Sequence, residues 1–336
     1  MAEQDDILLE VRDLRVYFDA EEGEVRAVDG ASFAVRRGQT LAVAGESGCG
    51  KSVTAYSILR LISKPGRIAG GQILLHPRSG RTIDITALKE KDDVLFRVRG
   101  GLVSMIFQEP TAALSPVHTI GGQIREAILL HHDLTRKQAE KQAVTMLRQV
   151  GIPAPKERLR QYPFEMSGGM RQRALIAMAL ACNPELLIAD EPTTALDVTL
   201  QAQILALIQT LQKERRTSVL LITHDLGVVA QVADDAAVMY LGRIVEQGAI
   251  RPLMKEPGHP YTRGLLQSLP SLSHKGKRLA SIAGSVPLPT EHLPGCPFHP
   301  RCPYMISGRC DVGGPPPLRA IGESERRVAC FRAQEI

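Results

Sequence analysis

The 336-residue chain has no tryptophan and only 4% aromatic residues, which argues against a surface built from base- or sugar-stacking rings. It also lacks any run approaching the ~20 apolar residues that span a bilayer. Its most apolar windows, Ala174 to Cys182 and Ser218 to Thr223, have the length of core elements. The opening stretch, Met1 to Asp6, is acidic and has neither the basic nor the apolar region of a secretion signal. The chain is therefore expected in a reducing cytoplasm, with its six cysteines as buried residues, reactive thiols or metal ligands rather than disulfides. No Lys/Arg block stands out. A formal charge of +5 spread over the whole chain is too weak to argue for nucleic acid or a membrane surface.

What remains is an ordinary soluble composition, 44% hydrophobic and 23% charged, which excludes disordered, collagen-like and disulfide-scaffold classes. At roughly 150 residues per domain the length suggests about two domains. Leu8 to Val11 and Ala31 to Ala34 read as strands around a polar turn at Glu21–Glu22–Gly23. Residues 70–100 read as a second small antiparallel region, and 120–182 as mostly helical. Between Arg136 and Val150, Ala139, Ala143, Met146, Leu147 and Val150 recur at three- and four-residue steps, giving one buried face. From Glu185 to Met239 short apolar runs alternate with helical stretches, the pattern of parallel strands with crossover helices. Nine of the 22 prolines lie between Pro287 and Pro317, so the tail is expected to be an irregular extension without further sheet. No internal repeat is visible, so a single nucleotide-binding half is expected.

Gly45–Glu46–Ser47–Gly48–Cys49–Gly50–Lys51–Ser52 matches G-x-x-x-x-G-K-[ST], follows a strand and opens a helix. Glycines in such a loop let successive backbone N–H groups converge on phosphate oxygens, and the helix N-terminus adds partial positive charge. Lys51 can bridge β- and γ-phosphates, and the Ser52 hydroxyl can ligate Mg²⁺. Leu186 to Ala189 is an apolar strand that ends on Asp190, placed to hold the Mg²⁺ shell, and Glu191, placed to face an attacking water. Cys49, at a helix N-terminus beside Lys51, is expected to have a lowered pKa and heightened reactivity, with an inert small residue as the alternative.

Ser167–Gly168–Gly169–Met170–Arg171–Gln172–Arg173, just before that strand, resembles the signature loop of the ATP-binding cassette (ABC) ATPases. The resemblance implies that two cassettes sandwich ATP, with Ser167, Gly168 and Gly169 of one facing the phosphate loop of the other. It also implies that Gln108 contacts Mg²⁺ and water and couples to a membrane subunit. Ala195–Leu196–Asp197 would then cross the dimer interface, His224 would reach the γ-phosphate, and Phe18 would stack on adenine, with Tyr17 as runner-up. Departures are mild: Met170 for the commonest Gln, Met166 for Leu, and Cys49 for Ser.

In the tail, Cys296-x5-Cys302-x7-Cys310-x19-Cys330 could bind a metal, although the spacing is neither the paired C-x2-C of zinc ribbons nor the ferredoxin run. Together with His259–Pro260–Tyr261–Thr262 and Gly284–Ser285–Val286–Pro287, it resembles the C-terminal extension of dipeptide/oligopeptide importer ATPases. That resemblance spans roughly residues 8–332 and implies a 4Fe–4S cluster, with zinc as the alternative.

The expected fold is α/β. A P-loop ABC-type domain at 1–257 combines a RecA-like core, an antiparallel β subdomain and a helical subdomain, and an irregular cysteine-rich extension follows at 258–336. The implied function is ATP hydrolysis for a bacterial importer of di-/oligopeptides or a similar small solute, at the cytoplasmic face of the inner membrane. Implied partners are two transmembrane permease subunits, a second and paralogous ATPase subunit, and an extracytoplasmic solute-binding protein, with no nucleic acid. A soluble ABC ATPase acting on nucleic acid or translation is the competing reading.

Overall fold

The computed structural model describes residues 6–21, 23–109, 113–194, 196–269, 282–288, 290–322 and 325–336. Strands β1 (Ile7–Ala20) and β2 (Gly23–Arg36) form a long antiparallel hairpin, with Ala20 opposite Gly23. β3 (Thr40–Ala44) leaves it for a second sheet. β4 (Gly66–Leu75) returns to the free edge of β1, and β5 (Ile83–Asp84) pairs with β4. Residues 70–100 thus complete the first sheet instead of building a separate one. A strand already paired on one edge offers an unsatisfied ladder on the other, and β4 fills it.

The second sheet continues through β6 (Val103–Ile106), β7 (Leu186–Asp190), β8 (Ser218–Thr223), β9 (Asp235–Tyr240) and β10 (Arg243–Ala249). From β6 through β7, β8 and β3 to β9 the pairing is parallel, and β10 turns back antiparallel. β3, β7 and β8 are buried along their whole length, which is why they are nearly continuous apolar runs. Alternate residues separate the two faces. Ala42, Ala44, Leu187, Ala189, Val219 and Leu221 pack under the helices. Leu41, Val43, Leu186, Ile188, Leu220 and Ile222 pack against the first sheet.

Residues 120–182 are mostly helical, as expected. Thr119 caps the helix Ile120–His131, Thr135 and Gln138 form a reciprocal capping box on Arg136–Gln149, and Ser167 caps Gly168–Leu180. Ala139, Ala143, Met146, Leu147 and Val150 are all buried in one cluster, so the three/four-residue period located the packed face.

The tail adds two short strands that the proline count did not foretell: β11 (Arg319–Ala320) and β12 (Arg327–Val328) extend the large sheet through β10. β10 presents an open edge, and even a proline-rich segment can satisfy it with two residues. The helix Pro260–Gln267 is capped by the His259 ring, which accepts from the Tyr261 N–H at 3.1 Å. The buried Glu246 carboxylate accepts the N–H groups of Gly258 and His259 at 2.7 and 2.9 Å. Tyr240, Tyr261 and Phe298 then form a buried aromatic knot, with Phe298 edge-on to Tyr240 at 5.3 Å. Phe298→Ala is expected to cost about 3–5 kcal/mol, read as a lower midpoint in urea unfolding of the full chain.

Candidate functional site

The phosphate loop leaves β3 at Gly45 and enters the helix Lys51–Ile58. Gly50 has φ 101°, and a Cβ there would lie 2.1 Å from the Ala27 carbonyl oxygen; at Gly45 it would lie 2.2 Å from the Met239 oxygen. Both positions require the absence of a side chain, so the loop backbone can turn its N–H groups inward. Gly50 caps the helix without a side-chain bond, which leaves the first-turn donors open to an anion. Lys51 is 5% exposed, and its ammonium is satisfied by the Gly45 and Glu46 carbonyls at 2.8 and 2.9 Å.

Asp190 ends β7 fully buried. Its Oδ1 accepts from Ser52 Oγ at 3.0 Å, while Oδ2 is buried with no hydrogen-bond partner among the described residues. Burial first, and the neighbouring Glu191 charge after it, push the carboxyl up to about 6. An orphaned carboxylate oxygen beside a hydroxyl is a donor set suited to a hard divalent cation such as Mg²⁺.

Glu191 follows with φ 44°, a left-handed conformation that costs a non-glycine residue of order 1–3 kcal/mol. Its Oε2 accepts from Thr194 Oγ1 at 2.8 Å and from Gln108 Nε2 at 3.2 Å, and its Oε1 lies 3.1 Å from His224 Nδ1. Burial alone would raise this carboxyl, but the bonds from Thr194 and His224, with Lys51 nearby, hold it below the usual glutamate range. Lys51, Ser52, Gln108, Asp190, Glu191 and His224 are thus brought together. Such a cluster can hold nucleotide phosphates and a cation and direct a water at the terminal phosphorus.

Other expected residues lie elsewhere. Ser167 and Gly168 are exposed; the Ser167 hydroxyl accepts from the Met170 N–H at 3.4 Å, and a Cβ on Gly168 would meet nothing within 4 Å. Asp197 caps the helix Val198–Arg215; Ala195, like Pro110 and Glu22, lies outside the described residues. Phe18 packs against Gly66 and Ile62, while the Tyr17 hydroxyl donates to Asp29 at 2.8 Å.

The reactive-thiol expectation for Cys49 is corrected. Its sulfur sits 3.7 Å from Lys51 Nζ, yet the residue is 1% exposed and desolvation outweighs the ammonium, pushing the thiol up rather than down. In the tail, Cys296, Cys302, Cys310 and Cys330 line one pocket with His259, Phe298 and Phe331, and all four are free thiols. Burial pushes Cys296 up to about 12 and raises Cys302 and Cys330, with the neighbouring thiols adding to it. Among the described residues, no group of three or more His, Cys, Asp or Glu side chains is arranged to hold a metal ion. The four cysteines thus converge on one pocket, but the metal site expected of them is not supported among the described residues.

Sequence reasoning missed Thr194, Tyr261 and Arg301. Tyr261 Oη accepts from the Glu46 N–H at 2.8 Å, and Arg301 pairs with the Glu46 carboxylate. Thr194 is only three residues past Glu191, but the bonds to Glu46 span more than 200 positions and have no local signal.

Residues 28–194 match the ABC transporter family, and residues 245–310 match the oligopeptide/dipeptide transporter C-terminal region. The dipeptide transport ATP-binding protein DppD of Bacillus subtilis is 50% identical over 300 residues, covering 89% of this chain and 88% of that protein. The oligopeptide transport ATP-binding protein AppD of the same organism is 47% identical over 329 residues, covering 98% and 97%. A dimeric ATP-binding cassette solved in a post-hydrolysis state with ADP and phosphate superposes with a TM-score of 0.64 at 23% identity, over 73% of this chain and 99% of that one. No helix among the described residues is long and apolar enough to cross a membrane. With relatives this similar over nearly its whole length, the chain belongs to the ABC transporter family of ATP-binding subunits.

Proposed function

We propose that the chain is the ATP-hydrolysing subunit of an importer for di- or oligopeptides. The observation that carries the ATPase reading is the convergence of Gln108, Thr194 and His224 on Glu191, beside the orphaned oxygen of Asp190 and the Lys51 loop. The solute class is supported by what DppD and AppD are named for.

The loop backbone and Lys51 bind the β- and γ-phosphates. Asp190, Ser52 and Gln108 would hold Mg²⁺, which when bound neutralises charge on the phosphates. Glu191 orients the water and accepts its proton, and its lowered pKa keeps it ionised for that role. His224 holds Glu191 through Oε1 and is placed to turn toward the γ-phosphate. The same family reading gives Phe18 the adenine, in preference to Tyr17. Ser167 and Gly168, both exposed, and Gly169 beside them act on the ATP of a second cassette, which makes pairing with a paralogous subunit part of the mechanism. The remaining partners are two permease subunits and an extracytoplasmic binding protein, which puts the chain at the cytoplasmic face of the membrane.

The tail pocket would hold a 4Fe–4S cluster through Cys296, Cys302, Cys310 and Cys330. Four free thiols lining one pocket with Phe298 and Phe331 support this reading, with zinc as the alternative. When bound, the cluster would supply a cross-link for a proline-rich segment, with ligation offsetting the release of protons from the raised thiols.

Glu191→Gln is expected to lower kcat for ATP by at least about 100-fold while nucleotide binding, measured by fluorescence titration, is retained; a loss within fivefold overturns the assignment of the base. Anaerobically purified chain is expected to carry about four iron and four sulfide with a broad visible band, whereas one zinc in a colourless sample would replace the cluster assignment. In proteoliposomes with permease subunits and binding protein, peptide should stimulate ATP hydrolysis; stimulation by nucleic acid instead would overturn the importer reading.

A further inference from the structure

Arg301 lies in the tail, one residue before Cys302, at the end of a short 3₁₀ turn His299–Arg301. Its side chain is 4% exposed. Nη1 and Nη2 donate to Oε2 and Oε1 of Glu46 at 2.7 and 3.0 Å, a two-pronged pair with the second residue of the phosphate loop. Nε donates to the Ala283 carbonyl at 3.1 Å. The guanidinium lies over the Tyr240 and Phe298 rings at 5.9 and 6.0 Å. Each donor direction and the ring contacts hold the group in a single orientation, and a guanidinium this buried needs its carboxylate.

Glu46 is held on every side. Its N–H donates to Tyr261 Oη at 2.8 Å, its carboxylate takes Arg301, and its carbonyl accepts from Lys51 Nζ at 2.9 Å. Two of these three partners come from the segment after residue 257. The path from the cysteine pocket to the phosphate-binding ammonium is therefore Cys302, Arg301, Glu46, Lys51, each link a covalent neighbour or a hydrogen bond.

We propose that Arg301 is a positioning residue for the ATP site, holding Glu46, and through it the phosphate loop and Lys51, against the cysteine-bearing tail. This rests on the ATPase reading. The loop and Lys51 contact the phosphates in the ground state and the transition state alike. Losing their alignment therefore removes uniform binding, which appears in KM and not in kcat.

The test uses full-length chain assembled with its second cassette, and the variants Arg301→Gln, Arg301→Lys, Glu46→Ala and the Arg301→Gln/Glu46→Ala double. The readouts are the Kd for Mg-ADP, KM and kcat for ATP, and the thermal midpoint. Arg301→Gln and Glu46→Ala should each raise Kd and KM by about tenfold with kcat within twofold. Arg301→Lys, which keeps the charge but loses the fork, should fall between. The double variant should be no worse than the poorer single one, because both remove the same contact. Should Arg301→Gln fail to fold, Glu46→Ala, altered on the half-exposed partner, carries the same expectation. Folded variants with unchanged KM and Kd, a fall in kcat with KM unchanged, or additive losses would overturn the role. Wild-type chain that binds Mg-ADP but, assembled with its second cassette, does not hydrolyse ATP would instead sink the ATPase reading, while the Kd shifts still test Arg301.

Discussion

The parallel ladder of β6, β7, β8 and β3 sets the geometry on which the site depends. Parallel strands in register end at the same edge, and here Ile106 pairs with Ala189, Asp190 with Ile222, and Ala44 with Thr223. Each strand is followed within two residues by a chemical group: Gln108, Glu191, His224 and the Gly45 loop. The ladder is stable because both faces are covered, one by helices and the other by the antiparallel sheet. A one-residue slip in any strand would exchange its two faces and carry its terminal group out of reach. Core packing and site geometry are in that sense one requirement.

Adjacent carboxylates at the end of β7 are driven in opposite directions by their surroundings. Asp190 points into the fold, where desolvation raises it and one oxygen stays unpaired. Glu191, turned by a left-handed backbone, meets Thr194, His224 and Gln108 and is held low. The chain direction alone gives neighbours opposite faces; the strained φ of Glu191 aims the second carboxylate outward. A raised, half-unpaired carboxylate and a lowered, well-partnered one therefore sit one residue apart.

How far the sequence disclosed this follows the range of each interaction. The phosphate loop, the buried face of Arg136–Gln149 and the Asp190–Glu191 strand end were legible because their signals lie within a few residues of one another. The pairing of β4 with β1 is not legible in the sequence, where residues 70–100 read as a separate region, since edge partners carry no address in the chain. Cys49 misled because its neighbours in sequence are a cation and a helix start, while the burial that governs it comes from distant strands. The β10 edge recruited β12 from 80 residues on, and Glu46 recruited Arg301 across 255 positions. Arg301 sits inside the Cys296-x5-Cys302 spacing, yet nothing local there or around Arg327–Val328 names a partner so far up the chain.

The separation of Ser167 from Lys51 in one chain has a genetic corollary under the proposed pairing. This chain would lend its signature serine to its paralogous partner's nucleotide and receive the partner's in return. A lesion at Ser167 would leave its own phosphate loop intact and silence the neighbour's, whereas a lesion at Lys51 would silence its own. A Ser167 lesion in this chain joined to a phosphate-loop lesion in the paralogue would therefore fall on one composite site and leave the other whole. Under that pairing, two lesions in different proteins can spare a whole site, a consequence of where the chain puts its serine.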